Sequence, residues 1–185
     1  MDGSPVDDLE IRLSPTEGLS IEALLPSGRP PDRIQVAVLD AAGKALSSGS
    51  YPVGETGRAR IATVPPGSWQ VLVESDQSAP ATVAVRVPGP AVRVALPAAG
   101  RLTVKIPVLA NDPTKAKVTL SGPGGIYRAL GWGGSVDSEF DVYGGFTRLR
   151  VPAGVWQVVA KAADGRSWSG TATVTPGGEA EVALK

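Results

Sequence analysis

Apolar and polar residues alternate along most of this chain in short runs, and glycine or proline separates one run from the next. In the run from Val83 to Val87, for example, valines alternate with Ala84 and Arg86. Alternation with a period of two is typical of β-strands, whose successive side chains point to opposite faces. No stretch sustains the apolar spacing of an amphipathic helix. The pattern therefore predicts an all-β protein built from short strands, as in a sandwich or barrel.

A repeated motif divides the chain into two copies of one module. The segment VPPGSWQV, which begins at Val64, returns as VPAGVWQV at Val151, 87 positions later. The match continues on both sides, and residues 92–96 (VRVAL) correspond to residues 180–184 (AEVAL). Repetition at this spacing indicates a tandem array of one unit. The predicted divisions are an N-terminal extension at 1–18 that could form an extra strand, a first module at 19–98 and a second module at 99–185.

Each module is predicted to hold about seven strands. In the first they lie near 19–25, 33–39, 45–52, 58–64, 68–75, 81–87 and 91–97. In the second they lie near 101–107, 115–121, 126–132, 139–150, 155–162, 168–175 and 179–185. Alternation places Trp69 and Trp156 between the two sheets as the largest core residues, and it directs Gln70 and Glu74 outward. The turn before each tryptophan supplies a proline with fixed φ and a glycine that accepts positive φ.

These motifs resemble a known group of domains. The D-A-A-G hairpin at Asp40, the P-x-G-x-W turn and the closing V-x-V-P-G segment are similar to carboxypeptidase regulatory-like, or transthyretin-like (prealbumin-like), β-sandwich domains. The likeness spans residues 19–185, although S-G-P-G-G from Ser121 replaces the Asp40 hairpin in the second copy. The resemblance implies two tandem seven-stranded Greek-key sandwiches of the Ig-like or prealbumin-like kind. It also implies an accessory, spacer or binding role.

Composition narrows the range of functions. Eighteen basic and eighteen acidic residues give a formal net charge of zero, so nucleic acid is not an expected partner. The chain has neither cysteine nor histidine, which removes thiolate chemistry, the usual general base and the commonest metal ligand. No segment reaches the ~20 apolar residues that a membrane-spanning helix needs. We therefore expect no enzyme, no cofactor and no transmembrane segment.

Aromatic residues are concentrated in the second copy. They fall on or beside the glycine-rich segment 126–146, which is three residues longer than its counterpart: Tyr127, Trp132, Phe140 and Tyr143. Exposed aromatic rings framed by glycine suit a stacking platform for a sugar or a peptide, with Trp132 as its anchor. Alternatively, these rings cover a sheet edge or pack against the first module. Phe146 stands where a core residue is expected.

Charged residues near this segment form two patterns. Three carboxylates alternate and would share one face of a strand: Asp137, Glu139 and Asp141. They could bind Ca²⁺ or supply a glycosidase acid–base pair, but a straight strand does not wrap an ion, and a solvated acidic edge is the alternative. A basic pair precedes each V-P turn and is expected to point to solvent, with binding of an acidic partner as the other interpretation: Arg58 and Arg60, Arg148 and Arg150.

These observations favour a non-enzymatic interaction or spacer module of a bacterial envelope or surface assembly that binds protein partners. One alternative is a carbohydrate- or peptide-binding module that uses the aromatic patch, and another is an intracellular adaptor domain. Residues 1–18 lack the basic region and apolar stretch of a signal peptide. A periplasmic or cell-surface location therefore requires that a leader was removed, whereas a complete chain would be cytoplasmic.

Overall fold

The computed structural model describes residues 18–112, 114–122 and 124–185, and the predicted N-terminal strand lies outside the described residues. The described part is built from seventeen strands and two short 3₁₀ turns, at Pro107–Leu109 and Trp132–Gly134. The prediction of an all-β fold is confirmed, and the strands form two sandwiches in succession.

The first sandwich contains seven strands, each within a few residues of its predicted position. They are β1 Leu19–Leu24, β2 Arg33–Leu39, β3 Ala45–Pro52, β4 Arg58–Ile61, β5 Gly67–Glu74, β6 Ala81–Val87 and β7 Val92–Ala95. A three-stranded sheet in the order β4-β1-β7 faces a four-stranded sheet in the order β3-β2-β5-β6. β1 is antiparallel to β4 and parallel to β7. Buried side chains from both sheets, such as Ile21, Val36 and Val71, form the core.

The second sandwich repeats this topology. Its strands are β8 Ala99–Lys105, β9 Ala116–Gly122, β10 Gly125–Ile126, β11 Ala129–Leu130, β12 Val136–Asp137, β13 Phe140–Val142, β14 Phe146–Pro152, β15 Gly154–Ala162, β16 Ser167–Val174 and β17 Glu179–Ala183. The three-stranded sheet has the order β14-β8-β17, with β8 antiparallel to β14 and parallel to β17. The facing sheet has the order β10-β9-β15-β16. Leu102, Val118 and Val158 lie in the core between them.

The third strand of the second sandwich differs from the prediction. In the first sandwich β3 pairs with β2 along the whole length of β2, with one register shift at Leu46. In the second, β10 pairs with the end of β9, the chain then leaves this edge, and β13 pairs with the beginning of β9. The intervening residues, 127–139, carry the small β11–β12 hairpin, and we call them the insert. The insert therefore interrupts the predicted strand at 126–132, and a separate turn at residues 144–145 divides the predicted strand at 139–150 into β13 and β14.

The repeated tryptophan turn has the same geometry in both sandwiches. Gly67 and Gly154 adopt φ values of 147° and 148°, which side chains disfavour. The indole N–H of Trp69 donates to the Pro65 carbonyl at 2.8 Å, and that of Trp156 donates to the Pro152 carbonyl at 2.9 Å. Trp156 is 4% exposed, whereas Trp69 is only partly buried at the margin of its core. The predicted core role holds fully for Trp156 and in part for Trp69.

Candidate functional site

Tyr127 lies in the core of the second sandwich. It is 6% exposed, and its hydroxyl donates to the Arg150 carbonyl at 2.6 Å. Its ring meets Trp156 edge-on at 5.7 Å between centroids and is tilted against Phe140 at 5.4 Å. Burial raises the pKa of the Tyr127 hydroxyl. The expectation of an exposed platform residue is wrong for Tyr127, because its ring fills the space beside Trp156.

The other predicted platform residues are dispersed. Phe140 is partly buried and packs against the core. Trp132 begins the second 3₁₀ turn, and its side chain lies outside the part that the structure describes. Tyr143 is 73% exposed, and its hydroxyl donates to the Asp141 carboxylate at 3.2 Å. Of the three rings that are described, Tyr143 alone is presented to solvent.

Phe146 does not lie in the core, contrary to expectation. It is 47% exposed, because on β14 it shares the outward parity of Arg148 and Arg150, whereas Leu149 and Val151 point inward. The Arg148 guanidinium lies 5.9 Å from the centre of the Phe146 ring. Phe146 therefore belongs to the outer surface of the three-stranded sheet.

The three predicted carboxylates do not share one strand face. Asp137 ends β12, Asp141 lies in β13, and Glu139 falls in the bend between these strands. Glu139 forms an ion pair with Lys117 at 3.3 Å, and the Asp137 carboxylate lies against Gly131. Within the described ranges, no three candidate metal-ligating side chains are grouped. The break in the strand at residues 138 and 139 separates the three carboxylates that the alternating pattern had placed on one face.

An open groove of about 500 Å³ lies beside Tyr143. Its walls are formed by the turn of Asp141–Gly145 and by the opposite segment that contains Asp112 and Lys115. The Asp112 carboxylate in this wall forms an ion pair with Arg166 at 2.7 Å. Hydrogen bonds from the Thr114 hydroxyl and Arg166 lower the pKa of Asp112 to about 2. The groove thus offers one aromatic ring, fixed charges and exposed backbone to a polar ligand.

The insert packs against the first sandwich. Three side chains on the outer face of the β2–β5 sheet are buried there: Ala37, Leu39 and Leu72. Leu130 and Val136, from the two strands of the insert, cover them. Gly134 lies so close to Ser48 that a β-carbon at this glycine would collide with the serine hydroxyl. The alternative interpretation, in which this segment contacts the first module, agrees with these contacts.

We call this contact the joint, and polar groups complete it. It consists of Leu39, Leu72 and Glu74 of the first sandwich and Leu130, Val136 and Arg150 of the second. Glu74 is 9% exposed and accepts a hydrogen bond from the Leu130 N–H at 3.3 Å. Burial raises the pKa of Glu74, and the Leu130 N–H and the Arg150 charge oppose that rise. Arg150 donates to the Ser75 carbonyl at 3.0 Å and to the Asp76 carbonyl. Glu74 was expected to point to solvent but is buried, whereas Arg150 stays exposed as expected and also contacts the first sandwich.

The covalent connection between the sandwiches is short and held in place. β7 ends at Ala95 and β8 begins at Ala99. Between them Leu96 is buried, and the Pro97 carbonyl accepts a hydrogen bond from the Ala79 N–H at 3.0 Å. The connection and the joint therefore restrain the two sandwiches at separate points.

Comparisons with known proteins provide distant structural likeness alone. No family model matches the sequence, and no curated protein matches it. The chain aligns with a minor pilin of Streptococcus agalactiae at 13% identity and a TM-score of 0.36, over 91% of this chain and 94% of the pilin. It aligns with the shaft pilin spaA of Lactobacillus rhamnosus GG at 7% identity and a TM-score of 0.33, over 92% and 98% of the two chains. It also aligns with the TIE protein of Bacillus anthracis at 11% identity and a TM-score of 0.34, over 92% of this chain and 34% of that protein. All three TM-scores are below 0.5, so this likeness does not define the function of the chain.

Among the residues described, no helix has the length and apolar character needed to cross a membrane.

Proposed function

We propose that this chain is a non-enzymatic spacer and interaction module in which the joint holds the two sandwiches as one rigid unit. The outer face of an antiparallel sheet is commonly solvated, yet Leu39 and Leu72 are buried on that face beneath the insert. Removal of this apolar surface from water favours the docked arrangement. The burial of these two leucines is the observation that carries the proposal.

Distances between the sandwiches test the rigid unit directly. Because the chain has no cysteine, Thr56→Cys and Lys161→Cys would place one spin label on each sandwich without side reactions. Pulsed electron paramagnetic resonance should then give one narrow distance distribution. Arg150→Ala should broaden the distribution, because Arg150 contacts the Ser75 and Asp76 carbonyls. Arg148→Ala is the matched control, since Arg148 lies on the same strand outside the joint. A broad distribution in the unmodified chain would contradict the proposal.

We place this module in a bacterial envelope or surface assembly, where it binds protein partners. The resemblance of its motifs to carboxypeptidase regulatory-like domains supports this location, because that group mostly serves accessory and spacer roles. Fractionation of cells that express the full-length gene tests it. Recovery of the native protein from the cytosol without a leader would contradict the envelope location and favour an intracellular adaptor.

The non-enzymatic part of the proposal is tested by assaying ester, peptide and glycoside hydrolysis. We expect no turnover above background. Reproducible turnover that disappears on substitution of Asp137, Glu139 or Asp141 would refute the assignment.

The groove beside Tyr143 supports a second candidate function, the binding of a glycan or an extended peptide. Its support is the exposed Tyr143 ring at the border of a groove of about 500 Å³. Tyr143→Ala should weaken binding to a glycan or peptide array and leave the melting temperature unchanged. Phe146→Ala, at an exposed ring outside the groove lining, is the control, and Trp132→Ala tests the predicted anchor. Equal binding by the Tyr143→Ala variant and the unmodified chain would exclude this groove.

A further inference from the structure

The edge strands of the two sandwiches differ in how they are protected from pairing with another chain. An edge strand exposes unpaired N–H and C=O groups, and proteins protect such edges with charges, prolines, bulges or short strands. All four edge strands of the three-stranded sheets carry charged side chains: Arg58 and Arg60 in β4, Arg93 in β7, Arg148 and Arg150 in β14, Glu179 and Glu181 in β17. These edges therefore have a recognised protective feature.

The four-stranded sheet of the first sandwich is protected in a similar way. Its edge strand β6 carries Arg86. Its other edge strand, β3, ends at Pro52 and is irregular at Leu46, which the pairing register with β2 skips. In the second sandwich, the corresponding edge consists of the short strands β10 and β13. Each of these edges thus has at least one feature that discourages a new partner strand.

β16 has none of these features. It is eight residues long, and its sequence SWSGTATV contains neither charge nor proline. It pairs with β15 in an unbroken register along its whole length. Within the described ranges, no backbone group of β16 has a partner on the opposite side. β16 is therefore a long, regular and uncharged edge that can accept another strand.

We propose that β16 pairs with β16 of a second copy of this chain, antiparallel about a two-fold axis through Thr171. In this register Ser169 faces Thr173 of the partner subunit, and Trp168 faces Val174 of the partner subunit. Opposed residues then share a face, as the pleat requires, and hydroxyl or apolar side chains meet each other. The two sheets would join into one continuous sheet across the dimer.

Other registers are less favourable. A shift by one residue would place inward side chains such as Trp168 opposite outward ones. A shift that moves the two-fold axis to Gly170 keeps the faces matched, but it places Val174 opposite the charged Arg166. The axis through Thr171 avoids both conflicts. Self-pairing of identical surfaces is the arrangement that two-fold symmetry generates.

Because Thr171 faces itself across the axis, charge substitutions test both the pairing and its register. The unmodified chain should dimerise with increasing concentration in sedimentation experiments. Thr171→Lys and Thr171→Glu should each raise the dimer dissociation constant at least about tenfold, because like charges then oppose each other. An equimolar mixture of the two variants should restore the dimer. Thr82→Lys is the matched control, since Thr82 is an exposed residue on β6, the counterpart of β16.

Several outcomes would overturn the proposal. The unmodified chain could remain monomeric up to about 1 mM, a concentration at which weak pairing is still detected. Thr171→Lys could dimerise as well as the unmodified chain, or Thr82→Lys could impair dimerisation equally. Failure of the mixture to dimerise would exclude this register. A monomer that binds an extended peptide through β16 would replace self-pairing with peptide addition.

Hydrogen exchange provides a measurement that does not depend on a variant. The amide N–H groups on the free edge of β16, which point away from β15, should gain protection from exchange as the concentration of the unmodified chain rises. The corresponding amide groups of β6 should not. Concentration-independent exchange along β16 would refute the pairing. This result is separate from the test of the joint, which measures distances within one chain.

Discussion

Leu72 provides the most direct test of the joint in solution. It lies on the outer face of β5, where a single sandwich would expose it, and it is buried because Leu130 and Val136 of the insert cover it. Leu72→Ala should therefore destabilise the first sandwich if the joint is formed. The same substitution should have little effect if the joint is open.

The expected size follows from the contacts of Leu72. Leu→Ala removes three carbon atoms, which at about 0.8 kcal/mol per buried methylene gives about 2.4 kcal/mol. Core Leu→Ala substitutions range from about 2 to 5 kcal/mol, depending on how well the site relaxes. Leu130 and Val136 are only partly buried and can close part of the cavity, which places the cost at about 2 to 3 kcal/mol. For a chain of this size, the melting temperature should fall by roughly 4–12 °C.

Urea unfolding and calorimetry measure this change against two references. Leu46→Ala, at an exposed leucine of the same sheet, should change stability by less than about 0.5 kcal/mol. Leu120→Ala, in the core of the second sandwich, gives the effect of a fully buried site. A change of less than about 0.5 kcal/mol for Leu72→Ala would show that the joint does not bury this side chain in solution.

Three further outcomes are expected. Trp156→Ala should lower the free energy of unfolding by about 3–5 kcal/mol and Trp69→Ala by measurably less, because Trp156 is 4% exposed and Trp69 is only partly buried. Equal losses of stability in urea unfolding would contradict this difference in burial. Since burial raises the pKa of Glu74, its protonated form stabilises the folded state fully below the unfolded-state pKa, and this contribution is lost as pH rises through the folded-state pKa. Glu74→Gln should remove this loss of stability, so the variant should gain stability relative to the unmodified chain as pH rises. Parallel profiles of unfolding free energy against pH for the two proteins would refute this expectation. Pro152→Ala should change stability less than Trp156→Ala, because the Pro152 carbonyl that accepts the indole hydrogen bond belongs to the backbone and is retained; thermal unfolding compares the two.

The sequence pattern predicted the first sandwich well because its strands are regular. Period-two alternation and the glycine–proline turns indicate where each strand begins and ends, and β3 and β6 span the predicted residues. The tryptophan turn was equally evident, since P-x-G before an aromatic residue recurs in both copies. These signals are local and depend on few distant contacts.

The insert could not be derived in the same way. The match of Ala129-Leu130 to Ala45-Leu46 of the first copy continues past the point where the chain leaves the edge of β9, so the interruption depends on contacts with the first sandwich. A signal for those contacts was nevertheless present. Val36–Leu39 and Val71–Val73 are uninterrupted apolar runs, which are typical of strands buried on both faces. Such runs could have predicted a covered outer face at Leu39 and Leu72, although not what covers it.

The parallel pairing of the first and last strand in each sandwich determines how the chain bears mechanical load. A force that pulls the ends of the first sandwich apart acts along β1 and β7 in opposite directions, so their hydrogen bonds are sheared together and are not unzipped one by one. β1 and β7 align at four residue pairs, whereas β8 and β17 align at five. Under tension the first sandwich should therefore rupture at the lower force, and single-molecule force spectroscopy would show the opposite order if this reasoning fails. Each sandwich therefore resists tension along the chain through one parallel strand pair that must be sheared as a unit.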